Sequence, residues 1–296
     1  AVRNSVGFCD VSTLGKIDIQ GKDALSFINK IYCNGFAKLA IGKVRYGLML
    51  REDGLVMDDG TTARMNENHF IMTTTTLNAE SVYRHLEFCH QCLWPGLDVQ
   101  LISTTDAWSQ IAIAGPNSRK IISKIVDPDF DISNEKFPFM ACADISICKG
   151  IRARLFRISF SGELAYELSV PTQYSCSLIS YLMEIGKEEN ITPYGTEALG
   201  VMRIEKGHAA GPELNGTTSA LNLNMDKMVS SKKDSIGMIL SKREGLNKVD
   251  ALKLVGLKPI KSDTQIISGS HIFNLKDKIR PENDLGYVTS AVTHLL

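Results

Sequence analysis

The chain has 296 residues, 44% hydrophobic and 22% charged, with 33 basic side chains against 33 acidic ones. That length allows two or three domains with ordinary cores, and zero net charge argues against nucleic acid or an anionic membrane surface as partner. No apolar run approaches the roughly 20 residues of a membrane span, no signal peptide is expected, and seven cysteines, an odd number, fit reduced thiols in a cytoplasmic protein.

The chain opens at Ala1 in an already patterned region, as a piece of a longer protein would. Residues 16–20 alternate as a strand, Gly21 ends it, and 22–31 read as a helix with apolar Leu25, Phe27, Ile28 and Ile31. A hairpin follows. Strand-like runs at 44–50 and 55–65 flank Glu52-Asp53-Gly54, where Asp-Gly supplies the left-handed backbone of a tight turn. Asp58 and Asp59 are adjacent in the second run and therefore point to opposite faces. One of them faces whatever the hairpin covers, where a carboxylate is costly unless a cation or a hydrogen-bond donor meets it. An edge strand carrying two solvated acids is the alternative.

Residues 69–76 are strongly strand-forming, and 79–93 form a helix holding His85, Cys89, His90 and Cys92. His85 and Cys89 share a face but His90 does not, and no second cluster completes four ligands, so no metal is expected. Trp94-Pro95-Gly96 breaks the helix, and 99–102 resume a strand. The strand–glycine–helix pattern then returns at 110–115 and 117–125. Ile17 and Ile111, Ile19 and Ile113, Gly21 and Gly115, Ile28 and Ile122, and Lys30 and Lys124 are all separated by 94 residues. This is the mark of an internal duplication giving two similar α+β lobes.

Beyond a polar loop at 127–136, strands are expected at 151–158 and 165–170, joined by a turn at 160–163. Glu167 sits in the second, on the face opposite Tyr166 and Leu168, either solvated or part of a site. Helices follow at 174–189 and 196–205, with Gly207 as C-cap and His208 after it. A turn-rich link at 211–225 leads to strands at 253–257 and 286–290, an incomplete small β domain. No GxGxxG and no P-loop occurs.

Several segments together resemble the folate-binding aminomethyltransferase family, which includes the glycine-cleavage T-protein. They are 6–16, Gly54-Leu55-Val56-Met57-Asp58-Asp59-Gly60, Ile113-Ala114-Gly115-Pro116, 161–168, and 193–207 with Arg203-Ile204-Glu205-Lys206-Gly207. The segments 43–50, 72–76 and 194–199 are similar within that family to the C-terminal half of heterotetrameric sarcosine oxidase alpha subunits. The resemblance runs from about Val6 to Ser290. It implies a three-domain cloverleaf around a folate pocket: one α+β lobe from 1–13 with 106–208, a second from 14–105, and a truncated β-barrel-like domain from 209–296.

By the resemblance, Asp59 lies beside the folate nitrogens that take up the one-carbon unit, and Glu167 holds the pterin edge. Tyr46, Leu14, Thr73, Thr74 and Thr75 line the pocket, and His208 stands where the T-protein has a tyrosine. A carboxylate can accept the paired N–H donors of a pterin, and another can stabilise the positive charge that develops during transfer. Arg45, Arg64 and Arg203 are candidates for the glutamate tail of folate. The resemblance implies transfer of the carbon released by oxidation of an N-methyl amine such as sarcosine to tetrahydrofolate, as 5,10-methylenetetrahydrofolate. FAD or FMN and NAD would then lie on the rest of the subunit or on beta, gamma and delta partner subunits. A stand-alone aminomethyltransferase, a non-catalytic folate-binding module like the iron–sulfur-assembly relatives, and a scaffold lobe are the alternatives. The assembly relatives carry a cysteine where this chain has His208.

Overall fold

The computed structural model describes residues 1–261 and 264–292. Its elements run β1 Gly7–Asp10, β2 Gly15–Gln20, α1 Ala24–Ile31, β3 Lys43–Leu50, β4 Val56–Asn66, β5 His69–Thr74, α2 Ala79–Phe88, β6 Gln100–Ser103 and β7 Trp108–Ala114. They continue with α3 Ser118–Ile125, β8 Cys142–Ile147, β9 Ile151–Phe156, β10 Ala165–Pro171, α4 Ser175–Ile185, β11 Thr192–Pro193, α5 Thr196–Lys206, β12 His271–Ile272 and β13 Gly286–Tyr287.

The fold is mixed α+β with two main sheets. Five strands are ordered β3-β4-β5-β2-β6, and six are ordered β11-β1-β7-β10-β9-β8. The repeated units explain the likeness of the two. In each, a strand ends at a glycine, Gly21 with φ 131° and Gly115 with φ 127°, and a helix returns over one face. A Cβ at either glycine would meet backbone carbonyl oxygen, Asp98 at 2.1 Å or Ser5 at 2.4 Å, so both the φ and the close approach require glycine.

Alternation sorts each strand into an outer and an inner face. In the five-stranded sheet, Ile17, Ile19, Phe70 and Met72 pack against Phe27 and Ile28 of α1 and Val82 and Leu86 of α2. In the six-stranded sheet, Ile111, Ile113, Leu168 and Val170 pack against α3 and α4 through Ile121, Ile122, Leu178 and Leu182. The opposite faces meet each other. Val44, Ala63 and Ile71 of one touch Cys142 and Phe156 of the other, with Ile158 just beyond β9. A buried ion pair also crosses the junction: Arg154 Nη2 on β9 lies 3.2 Å from Asp18 Oδ2 on β2, and His69 Nε2 lies 2.5 Å from Asp18 Oδ1. The Arg154 guanidinium sits 4.1 Å from the centre of the Trp108 ring.

Three elements depart from the sequence expectation. The helix expected over 79–93 is α-helical only to Phe88, and Cys89–Leu93 widen into a π turn closed by Trp94 N–H on the Cys89 carbonyl at 2.9 Å. The strand Cys142–Ile147, hidden behind a polar loop, pairs with β9 along its whole length. The third correction concerns the end of the chain. Ala209, Leu214, Ala220 and Leu223 pack as irregular chain over Leu48, Leu50 and Val56 of the hairpin. Among the described residues beyond them only the two-residue ribbon of β12 and β13 pairs, and no barrel closes. Residues 253–257 find no partner strand: Leu254 N–H goes to the Asn222 carbonyl at 2.6 Å and its carbonyl accepts from Asn224 Nδ2 at 2.7 Å, both loop contacts.

Candidate functional site

The hairpin separates its two acids as alternation requires. Asp58 is buried, 1% exposed, and its carboxylate accepts from Thr75 N–H at 3.1 Å, the Thr75 hydroxyl at 2.7 Å and Asn78 Nδ2 at 3.1 Å. Those bonds tie β4 to the chain leading into α2, a structural role. Asp59 faces the other way and stays half-buried. The Tyr46 hydroxyl on β3 donates to its Oδ2 at 2.6 Å. Burial pushes the Asp59 carboxyl up to about 6, the Tyr46 bond opposing and the charge of Asp58 adding to the rise. Burial, then the charge of Asp59, drives the Tyr46 phenol well above its usual range, so it stays a donor.

Gly60 brings β4 against β5. A Cβ there would lie 2.0 Å from the Thr73 carbonyl oxygen. Beyond it, the Thr61 and Thr73 hydroxyls pair at 2.6 Å. Thr61 shares its face with Asp59, two residues away, and this is the face turned to the second sheet.

Glu167 comes from that second sheet. It lies on β10 opposite Ala112, half-buried, and Gln110 Nε2 donates to its Oε2. The Gln110 side-chain oxygen accepts from the Ser169 hydroxyl at 2.9 Å, which fixes the amide's orientation. Burial pushes the Glu167 carboxyl up to about 7, against the Gln110 bond and the charge of Lys16. Thr61 and Thr73 on one side and Gln110 and Glu167 on the other, closed by Ile71 and Phe156, line a cavity of about 10 Å³. That is room for about one water.

The structure thus joins Asp59 with Tyr46 within the hairpin, and Thr73 with Glu167 across the junction. The other expected site residues divide. Leu14 lies half-buried in the loop before β2, its carbonyl accepting from Lys16 Nζ at 3.0 Å. Thr74 points away from Thr73 and is buried against Gly15, and the Thr75 hydroxyl is taken by Asp58. His208 stacks on Phe160 with ring centres 5.4 Å apart, and its Nδ1 meets the Phe160 carbonyl at 3.1 Å.

Of the three arginines, Arg203 is buried and paired with Glu213 at 2.9 Å, and Arg64 donates to the Leu39 and Glu67 carbonyls. Arg45, half-buried over the Phe36 ring, donates to the Gly35 carbonyl. Neither Arg203 nor Arg64 is a free cation for an anionic tail, because internal acceptors already hold both. Gln110 was legible only as a strand residue; its signal was a polar side chain inside the apolar repeat Ile111-Ala112-Ile113.

The chain belongs to the GCVT N-terminal domain family, which matches residues 1–233. It is 54% identical over 292 residues to the sarcosine oxidase subunit alpha of Rhizobium meliloti (strain 1021), an alignment covering 98% of this chain and 29% of that subunit. It is 30% identical over 263 residues to the aminomethyltransferase of Geobacillus sp. (strain WCH70), covering 88% of this chain and 70% of that enzyme. Among solved structures, the glycine cleavage system aminomethyltransferase T from Bartonella henselae superposes with a TM-score of 0.82 at 22% identity, over 98% of this chain and 74% of that one. That likeness is one of fold. The chain spans less than a third of the length of the sarcosine oxidase subunit.

Proposed function

We propose that this chain is the tetrahydrofolate-dependent one-carbon-transfer module of a sarcosine oxidase alpha subunit, acting in the cytoplasm. It would accept the carbon released by oxidation of an N-methyl amine and deliver it as 5,10-methylenetetrahydrofolate. The observation that carries this is the half-buried Asp59, hydrogen-bonded by Tyr46, on the face turned toward Glu167. The 54% identity to an oxidase subunit favours it over a stand-alone aminomethyltransferase, for which the corresponding identity is 30%.

Tetrahydrofolate would supply the nucleophilic amines of the reaction. The chain's own residues fit such a ligand chemically. The ionised Glu167 carboxylate can accept two adjacent N–H donors of a pterin edge, and the Gln110 bond to Oε2 holds it in place. Asp59 in its anionic form stabilises positive charge developing at the transferred carbon and can take or return a proton, because burial raises its carboxyl to about 6. Tyr46 fixes the Asp59 rotamer. The cavity between Thr73 and Glu167 has room for about one water and not for a ring, so the ligand would lie along the exposed edges of the two carboxylates.

We divide the chain into lobes of 1–13 with 106–208, 14–105, and a last segment from 209, arranged as a cloverleaf around that junction. FAD or FMN, NAD and beta, gamma and delta subunits belong to the oxidase reading and would lie outside this chain. Calorimetry with tetrahydrofolate, followed by an assay of 5,10-methylenetetrahydrofolate formed from added formaldehyde at a rate above the uncatalysed condensation, tests the proposal. Binding with product formation supports it. Binding without product turns it into a holding module, and the absence of both rejects it.

A further inference from the structure

Lys16 is only 2% exposed, in a position where a charged side chain is rarely found. In the repeat of 94 residues it takes the place that Gln110 takes in the second unit. Its side chain alternates to the same face as Asp18, the face that meets the second sheet. Nζ donates to the carbonyl oxygens of Ser12 at 2.7 Å and of Leu14 at 3.0 Å. The Ser12 hydroxyl in turn accepts from the Gln110 backbone N–H at 2.9 Å, and the Gln110 side chain donates to Glu167. Ser12 and Gln110 therefore stand between the ammonium of one repeat unit and the carboxylate beside the other, each hydrogen-bonded on both sides. The charged groups facing Lys16 are Asp106, Asp10 and Glu167, and the Tyr194 phenol lies within range of Glu167. Burial brings Lys16 down to about 8, with the three carboxylates pulling the other way.

We propose that Lys16 is a positioning residue of the folate site: it pins the 11–15 loop that carries Leu14, and its ammonium, buried on the face turned to the second sheet, favours the ionised form of Glu167 that accepts two N–H donors. This rests on the assignment of Glu167 to the pterin. The physical part, the coupling of Lys16 to Glu167, does not need the ligand and is measured without it.

The experiment is a pH titration of the Glu167 carboxyl in the ligand-free full chain carrying ¹³C-labelled glutamate, with E167Q used to assign the signal. Removing the ammonium in K16M is expected to move the Glu167 midpoint to higher pH, and K16R is expected to leave it in place. In parallel, K16M should lose at least about tenfold in tetrahydrofolate affinity at neutral pH and regain part of it at higher pH, with K16R close to wild type. An unmoved Glu167 midpoint in K16M overturns the proposal. A moved midpoint in a chain that binds no folate in any variant leaves the coupling intact and rejects the pterin assignment instead. Should K16M fail to fold, reciprocity supplies the second measurement. Loss of the anion in E167Q should lower the midpoint of the ¹⁵N-labelled Lys16 ammonium, and an unchanged midpoint overturns the proposal equally.

Discussion

The hydroxyl of Tyr46 donates a 2.6 Å hydrogen bond to Oδ2 of Asp59, joining the two strands of one hairpin at the face they turn toward the second sheet. The pair holds an acid of raised pKa in one orientation, half-exposed, beside a donor that stays protonated. Replacing Asp59 by alanine or asparagine should leave the fold intact and cut the rate of 5,10-methylenetetrahydrofolate formation roughly 100-fold or more, the range of a lost acid–base group. Equal rates for variant and wild type, with matching circular dichroism, would remove Asp59 from the chemistry.

Tyr46→Phe tests the same pair by pH. The phenol stabilises the Asp59 anion, so its loss raises the carboxyl further above its present value of about 6. Activity that needs the anion appears as pH rises through that value. The acidic limb of the rate profile should therefore move to higher pH in the variant, with the deficit largest at pH 6 and smallest above 8. A limb that stays put, measured with formaldehyde as donor, would mean that another group titrates there.

For Glu167 the expected effect is on affinity. A charge-assisted pair is worth about 1.5–3 kcal/mol, so Glu167→Gln should weaken tetrahydrofolate binding by about 10- to 150-fold in calorimetry. The carboxyl, pushed up to about 7, must be ionised to accept two donors. Wild-type affinity should thus fall as pH drops through 7, whereas the glutamine variant shows no such step.

The Asp18–Arg154 pair ties the sheet of Asp59 to the sheet of Glu167. Arg154→Met leaves the buried Asp18 with His69 alone and should cost up to about 3–5 kcal/mol in urea unfolding, while Asp18→Asn combined with Arg154→Met should recover much of that. Burial works to raise Asp18, but the His69 hydrogen bond and the Arg154 charge outweigh it, and the carboxyl lies below its usual value. A depressed acid stabilises above its unfolded pKa, and the contribution is lost as pH falls through the folded one. The wild type should therefore lose this part of its stability only in strong acid, and an Asp18→Asn curve should lack that loss.

Gly60→Ala places a methyl 2.0 Å from the Thr73 carbonyl, a backbone atom that moves only with its strand. The expected destabilisation is roughly 1–3 kcal/mol, a drop of several degrees in Tm. Since the strain falls between Asp59 and Thr73, transfer should also decline in the variant at temperatures where it is still folded.

Much of this architecture is written in local pattern. Strand alternation, the Asp-Gly turn and the glycines after two strands are short-range signals, and residues 94 apart repeat one strand–glycine–helix pattern because both units bury the same outer face. Alternation also dictates that Asp58 and Asp59 diverge. Which of the two would be absorbed by Thr75 and Asn78, and which would meet Tyr46, is set by strands 13 to 20 residues away in the chain. Thr73 and Thr74 look alike in sequence, yet one faces the junction and the other is buried behind it. Strand pairing within one sheet puts Gln110 beside Glu167, and only the packing of the two sheets brings Lys16 to them. A buried charge is tolerated where distant donors and carbonyls converge on it, and that convergence is a property of the assembled sheets that no single stretch of sequence contains.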